Sequence, residues 1–194
     1  MRVALFGGSF DPPHAGHVAL ASAAADAFAL DLVLVAPVGK QPLKLGIQSE
    51  SFADRMAMVG LACAGDPRLV ASDLDRPRAD GAPNFTVDTL ETMRREFPEA
   101  ELFALIGADA YLGMEHWKEP ARLFELAQWI VATRPGFVLA PLGIAPAGRV
   151  HWLETVHVDV SATGVRERLH QGLDCEGLIP SSVLEYIDSH RLYR

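Results

Sequence analysis

The stretch LFGGSFDPPHAGHVALA, Leu5 to Ala21, joins an apolar run to an alanine-rich one through a glycine pair and two prolines. Upstream, RVALF (2–6) reads as a buried strand, its residues after Arg2 forming an apolar run of the kind buried on both faces of a sheet. Downstream, AGHVALASAAADAFA (15–29) has helical spacing, and its alanines are small enough to bring a helix close to that sheet. The switch from strand to helix falls at Gly7 to Pro13.

The alternation then repeats. Strands are expected at 31–36, 68–72, 101–107, 128–134 and 150–160, and helices at 51–64, 87–97, around 120–127, and from 162 and 181. That order predicts an α/β protein with a doubly wound, mostly parallel sheet and helices on both faces. Ligands in such sheets sit beyond the carboxyl ends of the strands, where the connections diverge, and the opening stretch is one such end. The loops richest in Pro and Gly, 37–50, 73–84 and 135–149, are candidate lids. No internal repeat or linker interrupts the chain, so residues 1–194 are expected to form a single domain.

Composition narrows the function. An apolar fraction of 49% supports a folded core, and a net charge of −8 disfavours a broad basic face for nucleic acid. Any bound anion must be met locally. The two cysteines, Cys63 and Cys175, have no metal-like spacing, and no secretory or membrane-spanning segment is read, which points to the cytoplasm.

Three readings of the glycine pair and of His14 and His17 stand side by side. Small residues ahead of a helix N-terminus let backbone N–H groups approach a phosphate, with the histidines, on one face of the first turn, as the local cations. A Walker lysine and a spaced triple glycine are both absent. A metal would need at least a third ligand, and neither HExxH nor a cysteine cluster accompanies the pair, so no metal ligands are assigned. In the plainest reading the histidines cap a helix and the glycines make a turn.

GGSFDPPHAGH resembles the N-terminal signature of the HxGH nucleotidylyltransferase superfamily, with His14, Gly16 and His17 as its core. NFTVDTL (84–90), GADAYLGMEHW (107–117), SATGVRERL (161–169) and LIPSSVLEYIDSHRLY (178–193) resemble, in order, bacterial nicotinate-mononucleotide adenylyltransferases. The resemblance spans nearly the whole chain. It implies a Rossmann-like nucleotidylyltransferase fold, with helices over 161–190 completing an ATP site. The implied activity is transfer of AMP from ATP to nicotinate mononucleotide, giving nicotinate adenine dinucleotide and pyrophosphate in NAD biosynthesis. Mg2+ would be delivered with ATP. A homo-oligomer is compatible with this, and neither nucleic acid nor membrane is an expected partner. An amide or other phosphate-bearing acceptor, and a nucleotide sensor without turnover, are the alternatives.

The same resemblance distributes roles. His14, His17, Lys44 and Arg166 would be catalytic donors to the phosphates. Gly7, Gly8, Ser9, Phe10, Gly16, Gly107, Asp109, Ser161 and Thr163 would bind ATP, and Asn84, Thr86, Trp117 and Arg134 would bind nicotinate mononucleotide. Trp117 would stack on the pyridine ring, and the amides at the helix start near Thr86 would receive its carboxylate. Each has a plainer reading: Ser161, Asn84, Thr86 and Asp109 as helix caps, Arg166 as an exposed side chain, and Trp117 as core. Trp129 and Trp152 lie in strand patterns and are expected in the core. One departure stands out, because the family's Pro-His-Lys element is matched by KQPLK, with Leu43 in the histidine's place and Lys40 as a substitute donor.

Overall fold

Alternate residues of the first strand feed two different cores. Val3 and Leu5 point to one face of the sheet and Ala4 and Phe6 to the other, so the apolar run is buried on both sides. The computed structural model of the chain describes residues 1–42, 49–133, 140, 142–154 and 160–194. Among them, β1 (Arg2–Gly8), β2 (Leu32–Pro37), β3 (Leu69–Ala71), β4 (Glu101–Gly107), β5 (Gln128–Thr133) and β6 (Val150–Glu154) form one sheet. The strand order is β3-β2-β1-β4-β5-β6 and every pair is parallel.

Helices α1 (Ala15–Ala27) and α2 (Phe52–Cys63) cover the face reached by Phe6. Ala21, Ala24 and Ala25 of α1 are wholly buried there, so methyl groups set a close approach of helix to sheet. Helix α3 (Thr86–Glu96) covers the opposite face through Val87, Leu90 and Met93. After the short α4 (Ala108–Leu112), α5 (Pro120–Leu126) joins it. Helices α6 (Ala162–His170) and α7 (Ser181–His190) form a third apolar cluster with α2, built on Met58, Ala62, Val165, Val183 and Ile187.

The chain leaves β1 toward one face and β4 toward the other, with Phe6 level with Leu105 in the register. The carboxyl ends of these neighbouring strands, Gly7–Gly8 and Gly107, therefore flank the crevice where the strand order reverses.

Most expected elements stand within a residue or two of their sequence-based bounds. The strand predicted over 150–160 is described as Val150–Glu154, and residues 155–159 lie outside the described residues. The 3-10 turn Met114–His116 was not foreseen, and helix α4 was foreseen only in the reading of Asp109 as a cap, because so few residues leave no period to read. Trp152 is a correction: it stands on β6, paired to β5 at the margin of the sheet, and is 38% exposed, packed edge-on against Tyr111. Trp129, on β5 between two neighbours, is fully buried as expected.

Candidate active site

A cavity of about 250 Å³ opens at the crevice between β1 and β4. Gly7, Gly8 and Gly107 form its strand side, and Asn84, Thr86 and Trp117 line the rest with neighbouring residues. A Cβ placed on Gly7 or Gly107 would meet no atom within 4 Å beyond its chain neighbours, so the missing side chains leave open space at the strand ends. The Trp117 indole is half-buried and braced edge-to-face by Trp129, with ring centroids 6.2 Å apart. Thr86 is the first residue of α3, so the unpaired N–H groups of that helix start at the cavity.

Two cavity residues carry charge that sequence reasoning missed. Lys118 Nζ lies 2.8 Å from Asp88 Oδ1 in the first turn of α3 and 5.1 Å from the centre of the Phe85 ring, placing a cation at that helix start. Burial pushes the Asp75 carboxyl above the usual carboxylate range, opposed by a bond donated from Thr89 Oγ1 at 2.9 Å. Neither residue belongs to a local motif; each acquires meaning only when two loops and a helix converge.

His14 is the N-cap of α1 and His17 lies one turn in. Their rings stack at 3.6 Å between centroids, with planes 21° from parallel. The backbone N–H of His14 donates to His17 Nδ1 at 3.2 Å, which leaves Nε2 as the donor nitrogen of the neutral His17 ring. Phe10 packs edge-on against both Phe6 and His17, so a buried aromatic fixes the ring from behind. A Cβ on Gly16 would lie 3.1 Å from Val160 Cγ1 and 3.2 Å from His14 Nδ1. The glycine of HxGH is thus the residue that admits the His14 ring. Burial lowers His14 from 6.5 to about 4. His17 falls to about 3 through burial and then through the proximity of His14. His14 Nδ1 is buried and has no hydrogen-bond partner among the described residues.

Helix α6 begins beside them. Ser161 Oγ accepts from the Gly164 amide at 3.1 Å, an ordinary side-chain cap. Arg166 is half-buried; its Nη1 donates to the Asp11 carbonyl at 2.8 Å and its Nη2 to Thr163 Oγ1 at 3.2 Å. Among the described residues no group of three or more His, Cys, Asp or Glu lies close enough to hold a metal ion.

The cytidylyltransferase-like family matches residues 5–168. A Thermus thermophilus protein named "Probable nicotinate-nucleotide adenylyltransferase" is 42% identical over 198 aligned positions, covering 100% of each chain. The chain belongs to the nicotinate-nucleotide adenylyltransferase family. A relative of the same name from Corynebacterium kroppenstedtii is 37% identical over 99% of this chain and 90% of its own. The fold is also that of Plasmodium falciparum nicotinic acid mononucleotide adenylyltransferase complexed with NaAD, at a TM-score of 0.81 and 18% identity, over 99% of this chain and 97% of that one. Members of this family are nucleotidyltransferases of NAD biosynthesis, and no helix among the described residues is long and apolar enough to cross a membrane.

Set against the family's motifs, the geometry sorts the expected residues into two groups. Gly7, Gly8, Gly107, Asn84, Thr86 and Trp117 share the cavity, whereas His14, Gly16, His17, Ser161, Thr163 and Arg166 gather where α1 and α6 begin. Gly7, Gly8 and Gly107, all expected with ATP, therefore line the same cavity as Trp117. Burial lowers the pKa of both histidines, against the cationic form expected of them. Phe10 is a buried support, and Ser9 Oγ bonds Gln41 Oε1 at 3.1 Å.

The expected caps also change. Phe85 and Gly107, not Asn84 or Asp109, precede α3 and α4, and neither makes a side-chain cap bond. Asn84 ties two loops together, accepting from the Lys40 amide at 2.9 Å and donating to the Asp75 and Arg76 carbonyls. Lys40 Nζ reaches the Gly81 carbonyl at 2.8 Å, so the loop over 73–84, expected as a lid, is pinned to its neighbour. Leu43, Lys44 and Arg134 lie outside the described residues.

Proposed function

We propose that the chain transfers AMP from ATP to nicotinate mononucleotide. One observation carries the reading: the apolar cavity with Trp117 and the start of α3 is joined, through Gly7–Gly8 and the five residues that follow, to the stacked pair His14 and His17. The pyridine ring lies against Trp117 and its carboxylate meets the first amides of α3, with Lys118 adding positive charge at that end. A carboxamide would leave its NH2 group facing N–H donors, which favours the acid. The acceptor's 5′-phosphate then emerges past the glycine pair toward α1.

There an acceptor phosphate oxygen attacks the α-phosphorus of ATP. One P–O bond forms, the bond to the β-phosphate oxygen breaks, and pyrophosphate leaves with the electron pair. No protein nucleophile takes part. His17 Nε2–H and His14 stabilise charge on the α-phosphate as preorganised donors, and Arg166, Ser161 and Thr163 hold the β and γ phosphates. Lys44 and Arg134 are assigned to the phosphates and to the acceptor by their family positions. Gly16 and Asp109 stay with ATP. A divalent cation, Mg2+ in this reading, arrives as part of the nucleotide substrate.

The partners assigned are therefore ATP and nicotinate mononucleotide rather than nucleic acid, in keeping with a net charge of −8. With Cys63 and Cys175 both buried as free thiols, the cytoplasm is the assigned compartment. Pyrophosphate release from ATP, screened with nicotinate mononucleotide, nicotinamide mononucleotide and other phosphate-bearing acceptors, tests the reading. It expects the highest kcat/KM for the acid; equal or better turnover of the amide overturns the acceptor assignment, and no release with any acceptor makes the chain a sensor.

A further inference from the structure

After α7 the backbone reverses sharply, with Arg191 and Tyr193 both in the left-handed region at φ 56° and 58°. Residues with a Cβ adopt that region at a cost, and two in three positions must be held there by what they contact. Tyr193 supplies the contact. Its ring is buried against the cluster of α2, α6 and α7, and its hydroxyl donates to Asp11 Oδ1 at 2.6 Å. Its backbone N–H donates to Glu50 Oε1, and the Glu50 N–H donates to the same Asp11 oxygen, each at 3.3 Å.

Asp11 is the meeting point of this arrangement. Its side chain is buried and held by Tyr193 and Glu50, while its carbonyl oxygen receives Arg166 Nη1 at 2.8 Å. It precedes His14 by three residues in the loop that leads into α1. Arg55 fixes the start of that loop, donating to the Ser9 carbonyl at 2.7 Å. Asp11, Arg166 and Tyr193 also border a cavity of about 400 Å³ that Arg191 and Arg194 share, so this end of the site is rich in guanidinium groups.

We propose that Tyr193 is a positioning residue for the polyphosphate end of the site, holding Asp11 so that its carbonyl orients Arg166. The inference rests on the assignment of Arg166 to the β and γ phosphates of ATP. Burial, and then the bond to Asp11, push the Tyr193 phenol well above its usual range, so it remains a donor at neutral pH. Without that bond the Asp11 peptide loses its fixed orientation, and Arg166 loses its own.

The test compares the wild type, Tyr193→Phe, Arg166→Ala and the double variant, using calorimetric ATP affinity and both KM values. The phenylalanine keeps the buried ring and removes only the hydroxyl, and both readouts report folded molecules even where stability falls. Tyr193→Phe is expected to weaken ATP about three- to tenfold, to leave the KM of nicotinate mononucleotide within about twofold, and to add nothing in the Arg166→Ala background. Asp11→Ala, which removes the bond from its other end, should reproduce the single-variant result. Unchanged ATP affinity, an equal rise in both KM values, or an undiminished effect without Arg166 would overturn the proposal. Absence of pyrophosphate release by the wild type would instead defeat the functional reading, and the ATP titrations would still decide the role of Tyr193.

Discussion

The imidazoles of His14 and His17 lie face to face, 3.6 Å between centroids, with the His17 Nδ1 taken by the His14 amide. Two full positive charges at that distance would repel strongly, so the pair works with at least one neutral ring. His17 also caps the start of α1, accepting the His14 amide on its Nδ1. His17→Ala is expected to cost about 1 kcal/mol of stability through the lost cap. Separately, it should lower kcat by about a hundred- to a thousandfold through the lost phosphate donor. Melting temperature and turnover of one preparation separate the two effects. A near-wild-type kcat in the folded variant would remove His17 from the chemistry.

The lowered histidine pKa values give stability a definite pH dependence. The folded value of about 4 for His14 lies below the ordinary 6.5, so on acidification the unfolded chain takes up the proton first. Stability is therefore unaffected by this group above about pH 6.5 and is lost as the pH falls from there toward 4, with a slope approaching about 1.4 kcal/mol per pH unit. His17 acts in the same direction. Urea unfolding between pH 7.5 and 4.5 checks this, and His14→Gln should show a shallower slope. Binding of ATP brings negative charge to both rings, so titrations near pH 6 in buffers of different ionisation enthalpy should reveal proton uptake.

Arg166→Ala should weaken ATP about ten- to a hundredfold, because charge-assisted bonds to the phosphates are lost together with the tie to Asp11. The acceptor KM should change far less. Arg166→Lys should recover only part of the loss, since an ammonium cannot reproduce the planar fork. A defect confined to the acceptor would place the arginine on the wrong substrate.

Trp117 and Trp129 touch each other, yet their truncations should differ. Trp117 lines the cavity, so Trp117→Ala is expected to raise the acceptor KM about tenfold or more while ATP affinity holds. Trp129→Ala empties a fully buried position and should cost about 3 to 5 kcal/mol of stability. Thermal melts and both KM values for the two variants decide the matter. A large loss of stability in Trp117→Ala without a selective acceptor defect would defeat the stacking assignment.

Gly107 offers the converse experiment, in which atoms are added. Chain neighbours aside, nothing lies within 4 Å of a Cβ there, so Gly107→Ala should keep its melting temperature while the added methyl group intrudes on the space assigned to the acceptor. The acceptor KM is expected to rise at least about tenfold. A variant with normal acceptor kinetics would show that the substrate does not reach this strand end.

The alternation of elements was legible because each long strand and helix carries its own period, as in RVALF and the alanine face of α1. The histidine pair was legible for another reason: its partners are three residues apart, and local spacing alone brings them together. Residues joined only by the fold were not legible. Tyr193 and Asp11 are 182 positions apart, and Asp75 joins Thr89 across a turn and a helix start. Burial likewise lowers the pKa of His14, which no local pattern announces. Trp152 shows the opposite failure, since an apolar strand pattern does not reveal which strand stands at the margin.

The tethering of residues 7 to 17 bears on how the two substrates meet. In the proposed reading a continuous length of backbone carries the glycines beside the acceptor and the histidines beside the α-phosphate, and that backbone is fastened by Arg55, Glu50 and Tyr193. On that reading, alignment of attacking and leaving oxygens follows from bond lengths and fixed anchors rather than from two lobes closing at each turnover. Reaction partners held in this way have little translational or rotational freedom left to lose on the way to the transition state. A looser anchor anywhere along those residues would appear as slower chemistry at saturating concentrations of both substrates, even where each still binds.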